Sequence, residues 1–144
     1  MKVMKIAQVP PPTVSIDATI RQAIPIVGNT QGCAVAVMAG DRLAGTISKD
    51  DVLKRVLAEG LDPNATRVGD VMTSPPETIS ADAETEEALR LMFANRRCYY
   101  PVVDAQGTLQ GWLSICQLFQ DHVEDLGREL DSLEAYLSAD GPGG

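Results

Sequence analysis

The pattern of apolar and polar positions predicts one series of elements, β-α-β-β-α, twice along the chain. Apolar residues that alternate with polar ones indicate strands, and apolar residues three or four positions apart indicate helices. The first series is predicted as a strand at Thr13–Ile16, a helix from near Ile20 with Asp17 as its N-cap, strands at Ala34–Met38 and Arg42–Ile47 around a Gly40-Asp41 turn, and a helix opened by Ser48 that carries Val52, Leu53 and Val56. Pro25 predicts a short or kinked first helix, because proline removes a hydrogen-bond donor.

The second series follows the same order. It is predicted as a strand at Thr78–Ser80, a helix with Asp82 as its cap and Ala88, Leu89 and Met92 on its apolar face, strands at Tyr99–Val103 and Thr108–Leu113 around a turn at 104–107, and a helix opened by Ser114.

The two series are copies of one sequence unit. Val68–Ala88 repeats Val3–Ala23 at an offset of 65 residues (68 − 3), and the repeat resumes one residue later, from Val37 with Val103 to Ser48 with Ser114. A unit of this size has an apolar face that it cannot bury alone, so the copies are expected to pack about a pseudo-two-fold axis. Functional residues are expected in the clefts between them.

Three short motifs carry a resemblance to a known family. They are Val68-Gly69-Asp70-Val71-Met72-Thr73 leading to Thr78-Ile79-Ser80, then Tyr100-Pro101-Val102-Val103-Asp104, and Gly45-Thr46-Ile47-Ser48 with Asp51. Over roughly residues 3 to 120 the chain resembles the tandem cystathionine-β-synthase (CBS) domain pair, or Bateman module. The resemblance implies an α/β (α+β) fold of two pseudo-symmetric repeats packed sheet to sheet. It also implies two clefts that bind adenosyl ligands such as AMP, ADP, ATP or S-adenosylmethionine, and regulation rather than catalysis.

The resulting division of the chain has five parts. They are 3–58, the first repeat with its lead-in segment; 59–76, the linker with the lead-in segment of the second repeat; 77–120, the second repeat; 121–139, an acidic amphipathic helix; and 140–144, a flexible end.

The resemblance implies a ribose site at Ser48 and Asp51, since an ionised carboxylate accepts two hydrogen bonds from a diol. The spacing alone favours another interpretation, a capping box in which these side chains satisfy each other's backbone donors. Phosphate is expected near the helix N-terminus, where the candidates are Lys49, Asp50 and Arg97. The resemblance further implies that the lead-in segment of the other copy lines the base and sugar, through Val71, Met72, Thr73, Ser74 and Pro75.

The second copy lacks the carboxylate. Ser114 and Gln117 retain a capping box, since glutamine caps at this position, but ribose recognition is expected to weaken there. One nucleotide per chain is therefore expected, in the Asp51 cleft, with Ser114 and Gln117 as a second, weaker site. Family members often carry Arg or His before the Pro-Val-Val strand, where this chain has Cys98 and Tyr99, and this departure argues against a strongly held triphosphate.

Composition limits the remaining functions. A net charge of −8 and a pI near 4.5 oppose binding to nucleic acid. The chain lacks a signal peptide or a membrane-spanning run, so a cytoplasmic location and no membrane contact are expected.

Three dispersed cysteines are expected to act as small buried hydrophobes, and Tyr99, Tyr100 and Trp112 to act in packing. No metal and no required cofactor are expected. Catalysis is not expected either, because the sole histidine, His122, has no nucleophile to activate in a recognisable catalytic set.

The C-terminal segment repeats apolar residues at the spacing of a coiled-coil seam. They are Phe119, Val123, Leu126, Leu130, Leu133 and Leu137. The stripe either folds back on its own domain or pairs with another helix. A homodimer is expected, with an unknown regulated protein as a further partner. Two functions follow: an adenosyl-ligand sensor, or a ligand-free interaction protein that acts through its dimer surface and this helix.

Overall fold

The repeat in the sequence becomes two three-stranded sheets in the computed structural model, which describes residues 1–30 and 33–139. The strands are β1 (Thr13–Ser15), β2 (Ala34–Ala39) and β3 (Arg42–Ser48), then β4 (Ile79–Ser80), β5 (Tyr99–Val103) and β6 (Leu109–Ser114). In each sheet the first strand runs parallel to the middle strand, and the last strand runs antiparallel to it. The predicted β-α-β-β-α order is confirmed in both halves.

The helices complete the same order. They are α1 (Ile20–Gly28), α2 (Lys49–Asp51, continued as a π-helical segment at Val52–Leu57), α3 (Val68–Val71), α4 (Thr85–Asn95) and α5 (Ile115–Ala139), with a 3-10 turn at Val3–Lys5. Helix α1, which contains Pro25, has 9 residues against 11 in α4. No helix in the described part of the chain is long and apolar enough to cross a membrane. The predicted flexible end, 140–144, lies outside the described residues.

Two predicted N-caps are wrong. Thr19, not Asp17, caps α1, because its hydroxyl accepts a hydrogen bond from the Gln22 amide at 3.2 Å and the Gln22 side chain accepts from the Thr19 amide. In the second half α4 follows Glu84, not Asp82. The aspartates instead lie in turns that leave the first strands, where their amides donate to Ser15 and Ser80.

The helix that carries Val52, Leu53 and Val56 buries only part of this apolar set. Val56 is fully buried, but Leu53 is 48% exposed. The π-helical turn at Val52–Leu57 has wider spacing than an α-helix, so Leu53 rotates away from the core.

The two sheets meet through small residues on one side and a large aromatic on the other. Ala34 and Ala36 of β2 are fully buried against Trp112 of β6, and Tyr99 stacks on Trp112 with 5.1 Å between ring centroids. Tyr100 lies in the core of the second half. All three aromatics act in packing, as the sequence predicted.

The lead-in segments cross between the halves. Val3 precedes the first repeat but is buried in the core of the second half, and Val68 precedes the second repeat but is buried in the core of the first. The Val3 amide donates to Ala83 O at 2.9 Å, and the Val68 amide donates to Ala18 O at 2.8 Å. Each repeat therefore lacks a part of its own core until the other lead-in segment supplies it.

Charged side chains hold both crossings in matching ways. Lys2 Nζ donates to Asp82 O at 2.8 Å, and Arg67 donates to Asp17 O at 2.8 Å. The first crossing has an additional contact, the Met1 amino group with the Glu84 carboxylate at 2.8 Å. This hydrogen bond raises the pKa of the amino group and lowers the pKa of Glu84.

The crossing predicts that a small change in the first lead-in segment destabilises the second half. Val3→Ala removes two methyl groups from a fully buried site, so the free energy of unfolding should fall by about 2 kcal/mol. Urea denaturation measures this change. Lys5→Ala, in the same turn but exposed, is the control and should leave stability almost unchanged. Equal stability of the two variants would contradict the crossed core.

Candidate functional site

The predicted ribose residues form a capping box at the start of α2. The Asp51 carboxylate accepts hydrogen bonds from the Ser48 amide at 2.9 Å and from the Ser48 hydroxyl at 3.0 Å. In return, the Asp51 amide donates to Ser48 Oγ at 3.1 Å. The capping box that the spacing favoured is therefore present, and any ligand role of Asp51 is additional to this structural role.

The lead-in segment of the second repeat lies directly beside this box. The Thr73 hydroxyl donates to Asp51 Oδ1 at 3.1 Å, and Arg55 Nε lies 3.7 Å from the same oxygen. Arg55 also donates to the main-chain oxygens of Val71 and Met72, at 3.1 and 2.9 Å. Asp51 is buried, and an ionised carboxylate has about four acceptor positions, so these donors occupy most of them.

Gly45 allows the segment to approach this closely. The Thr73 amide donates to Thr46 O at 2.8 Å, and the Thr46 amide donates to Thr73 O at 3.0 Å. A Cβ atom on Gly45 would lie 2.5 Å from Thr73 O and 2.9 Å from Met72 Sδ.

The other predicted lining residues lie in different environments. Val71 is buried in the core of the first half, whereas Ser74 and Pro75 are exposed. The Ser74 hydroxyl donates to Ala44 O.

A cavity of about 500 Å³ lies where equivalent parts of the two halves meet. Three helix ends line it: the start of α2 (Ser48, Lys49 and Asp50), the start of α5 (Ile115 and Cys116) and the end of α4 (Arg96 and Arg97). Cys33, Cys98 and Tyr99 complete the lining. The volume falls within the range of small-molecule sites. Three cations and the N-terminus of a 25-residue helix favour an anion there.

Arg97 is the least exposed of these cations. Its side chain is 18% exposed and lies over the rings of Tyr99 and Tyr100, 5.1 and 5.7 Å from their centroids. One guanidinium nitrogen lies 3.4 Å from Glu77. These contacts hold the guanidinium at the cavity wall.

Sequence reasoning missed two features of this cavity. Arg96, which closes α4 with a positive φ of 52°, joins Arg97 in the lining; the sequence signal was the Arg-Arg pair just before β5. The expectation that the cysteines are buried is wrong, since Cys98 and Cys116 are exposed and Cys33 is half-buried. All three line the cavity. Cys33 and Cys98 occupy equivalent positions, since each carbonyl accepts from the first amide of the following helix, and Cys116 is the second residue of α5.

The structure separates the predicted residues into two groups. Ser48, Lys49, Asp50 and Arg97 line the cavity. Asp51 and the lead-in residues form a second group, which does not line the cavity and is joined by the contact between Thr73 and Asp51. Ser48 belongs to both groups, since it lines the cavity and bonds Asp51.

The place in the second half that corresponds to Asp51 is different. Gln117 caps α5 as predicted, with its side-chain oxygen accepting from the Ser114 amide at 2.9 Å. The cavity beside it measures about 190 Å³ and is lined by Ile6, Gln117, Gln120, Asp121 and Glu124. It is small, and its charged groups are carboxylates, which disfavour a phosphate.

Comparison with known proteins assigns the fold to a family. Residues 3–58 and 68–120 each match the CBS domain, so the chain belongs to the CBS-domain family, as the sequence motifs indicated. In Arabidopsis thaliana the mitochondrial CBS domain-containing protein CBSX3 is 32% identical over 126 residues, which are 84% of this chain and 61% of that protein.

Solved structures share the architecture. A CBS-domain protein from Burkholderia ambifaria superposes with a TM-score of 0.76 at 27% identity, covering 87% of this chain and 96% of that one. CBSX2 in complex with AMP superposes with a TM-score of 0.70 at 21% identity, covering 85% and 96%. Among the curated relatives the chain spans 61% of CBSX3 but only 17% and 21% of two other CBS domain-containing proteins from Arabidopsis thaliana.

The packing at Gly45 predicts a strong effect of one methyl group. Gly45→Ala should displace the lead-in segment at Thr73, and such overpacking costs about 1–3 kcal/mol of folding free energy. Gly28→Ala is the matched control, because its Cβ would meet nothing within 4 Å. Urea denaturation of both variants tests this, and equal stabilities would show that the close approach at Gly45 is unimportant.

Proposed function

We propose that this protein is a regulatory module that binds an adenine nucleotide, with the phosphate in the cavity of about 500 Å³. The observation that carries the proposal is the set of three cations, Lys49, Arg96 and Arg97, on the wall of a cavity of ligand size. The chain as a whole is acidic, with a net charge of −8. Cations gathered at one cavity in an acidic protein favour a specific anionic ligand over general attraction to polyanions.

The proposed ribose contact is with Asp51, next to the phosphate candidates. Its carboxylate accepts the hydroxyl of Thr73, and a ribose hydroxyl offers the same type of donor. Ligand binding would exchange the Thr73 hydroxyl for the ligand's. Since Thr73 belongs to the lead-in segment, the exchange would loosen the contact between the two repeats. This provides a route from binding to a change in conformation.

The charges favour nucleotides among the proposed effectors. AMP, ADP and ATP bring phosphate to Lys49, Arg96 and Arg97. S-adenosylmethionine has no phosphate and a net positive charge, which those side chains repel. The CBSX2 complex with AMP shows that this fold accommodates such a ligand in another protein. One nucleotide per chain is proposed, because both halves line the cavity of about 500 Å³, and the cavity near Gln117, the counterpart of Asp51, is small and acidic.

A second candidate function is an interaction protein that needs no ligand. The observation in its favour is the exposed apolar stripe of α5, from Phe119 to Leu137. Thermal unfolding with and without AMP separates the two candidates, because a ligand that binds only the native state must raise the unfolding temperature. A location in the cytoplasm and the absence of nucleic-acid binding remain predictions.

The central prediction concerns Asp51. Asp51→Gln imitates Gln117 and keeps an acceptor for the Ser48 amide, so the fold should persist. Binding of AMP should weaken by roughly tenfold or more, because hydrogen bonds to a charged group contribute about 1.5–3 kcal/mol. Calorimetric titration with AMP and ATP measures the change, and Asp51→Ala should lose at least as much affinity.

Asp50→Asn is the matched control for charge. It removes one carboxylate from the next position, on the cavity wall, without touching the capping box. Its affinity for AMP should stay equal or rise, because a negative charge near the phosphate is lost. Unchanged affinity in a folded Asp51→Gln protein would show that Asp51 is only a helix cap.

The native cysteines report whether the cavity is the site. Cys98 and Cys116 are exposed on its wall, so iodoacetamide should alkylate them in the free protein. Saturating AMP should slow the alkylation of these residues, as peptide mass spectrometry would measure. Binding of AMP without protection of either cysteine would place the nucleotide elsewhere.

A further inference from the structure

Helix α5 extends beyond the domain with an uncovered apolar stripe. Its first residues pack on the second half, where Leu118 is buried. Further along, seven apolar side chains are between 44% and 64% exposed: Phe119, Val123, Leu126, Leu130, Leu133, Tyr136 and Leu137. The alternative in which the stripe folds back on its own domain is therefore not what the structure shows.

The stripe has the geometry of a coiled-coil seam. With Phe119 at position d, the residues Val123, Leu126, Leu130, Leu133 and Leu137 alternate between a and d without interruption. Most of the acidic residues lie on the outer positions b, c and f: Asp121, Glu124, Asp125 and Asp131. Only Glu129 and Glu134 flank the seam, at g and e. The negative charge of the helix therefore does not prevent a second acidic helix from packing there.

We propose that α5 pairs with α5 of a second copy in antiparallel orientation. The seam is then self-complementary, because Phe119, Val123 and Leu126 lie opposite Leu137, Leu133 and Leu130 of the partner subunit. Every a residue meets a d residue over ~27 Å of helix, at 1.5 Å per residue. The proposal concerns assembly and does not depend on nucleotide binding.

Charge favours antiparallel over parallel pairing. In a parallel pair each Glu129 would face Glu134 of the partner subunit, which gives two like-charge contacts. In the antiparallel pair Glu134 lies beside Gln120 of the partner subunit, and only Glu129 meets its own copy at the axis. The helix dipoles also oppose each other, which is the more favourable arrangement.

An exposed aromatic pair on the domain gives independent support. Phe93 of α4 is 60% exposed and packs edge-on against Phe119, with 6.1 Å between ring centroids. This pair extends the seam of α5 onto the domain. Antiparallel pairing brings the end of the partner helix, with Leu137 of the partner subunit, over both rings, so Phe93 is covered as well.

The available surface is sufficient for a stable dimer. Phe93 and the seven side chains of the stripe, each at least 44% exposed, offer on the order of 800 Å² per chain, which is the amount that each partner buries in a standard interface. Large exposed apolar patches of this kind mark interaction sites in soluble proteins.

Disulfide trapping in the full chain tests the orientation. In a background with Cys33, Cys98 and Cys116 replaced by serine, we compare Phe119→Cys alone, Leu137→Cys alone, and a mixture of the two proteins under mild oxidation. The antiparallel pair predicts that the mixture forms a cross-linked dimer and that neither variant alone does so. Cross-linking of Leu137→Cys with itself would indicate parallel pairing and overturn the proposal, and the absence of any cross-link would overturn it as well.

Light scattering tests whether the stripe holds the dimer. Leu126→Asp with Leu130→Asp places four carboxylates at the centre of the paired seam and should convert a dimer to a monomer at micromolar concentration. Glu124→Ala, on the outer face of the same helix, is the control and should remain dimeric. A double variant that keeps the mass of a dimer would show that another surface holds the copies together. Circular dichroism confirms that the variants remain folded.

Discussion

Each half of this molecule completes its core with a segment that the chain delivers from outside that half. Val3 fills the core of the second half and Val68 fills the core of the first, both with no exposed surface. Neither half therefore has a full core alone, and the sheets are held face to face. This exchange of lead-in segments joins the two halves that line the cavity between the repeats.

The exchange also sets the chemistry of the proposed site. Thr73 reaches Asp51 only because its segment crosses to the first half and pairs with Thr46. Asp51 is thereby a helix cap, a partner of the crossing segment and a proposed ligand contact. A ligand that competed with Thr73 for this carboxylate would act directly on the contact that joins the repeats. Binding and conformation would then be linked without a long pathway between them.

Small changes break the symmetry of the repeat where function is proposed. Gln117 replaces the carboxylate of Asp51 but keeps the cap, and Asp121 and Glu124 fill the neighbouring space with negative charge. Only the second copy continues into a long helix. The duplicated unit thus supplies the scaffold, while the departures from duplication distinguish one cleft from the other and provide a surface for assembly.

The sequence by itself determined the order of the elements, the two capping boxes at Ser48 and Ser114, the family, and the heptad stripe of α5. These features depend on local spacing and on the repeat, which are visible in a linear sequence. Tertiary structure decided that α1 begins after Thr19 and α4 after Glu84, that Leu53 is exposed, and that Cys33, Cys98 and Cys116 meet at one cavity. The reason is physical: each of these depends on how a turn or a helical register meets a neighbouring element, and that neighbour is often distant in the chain.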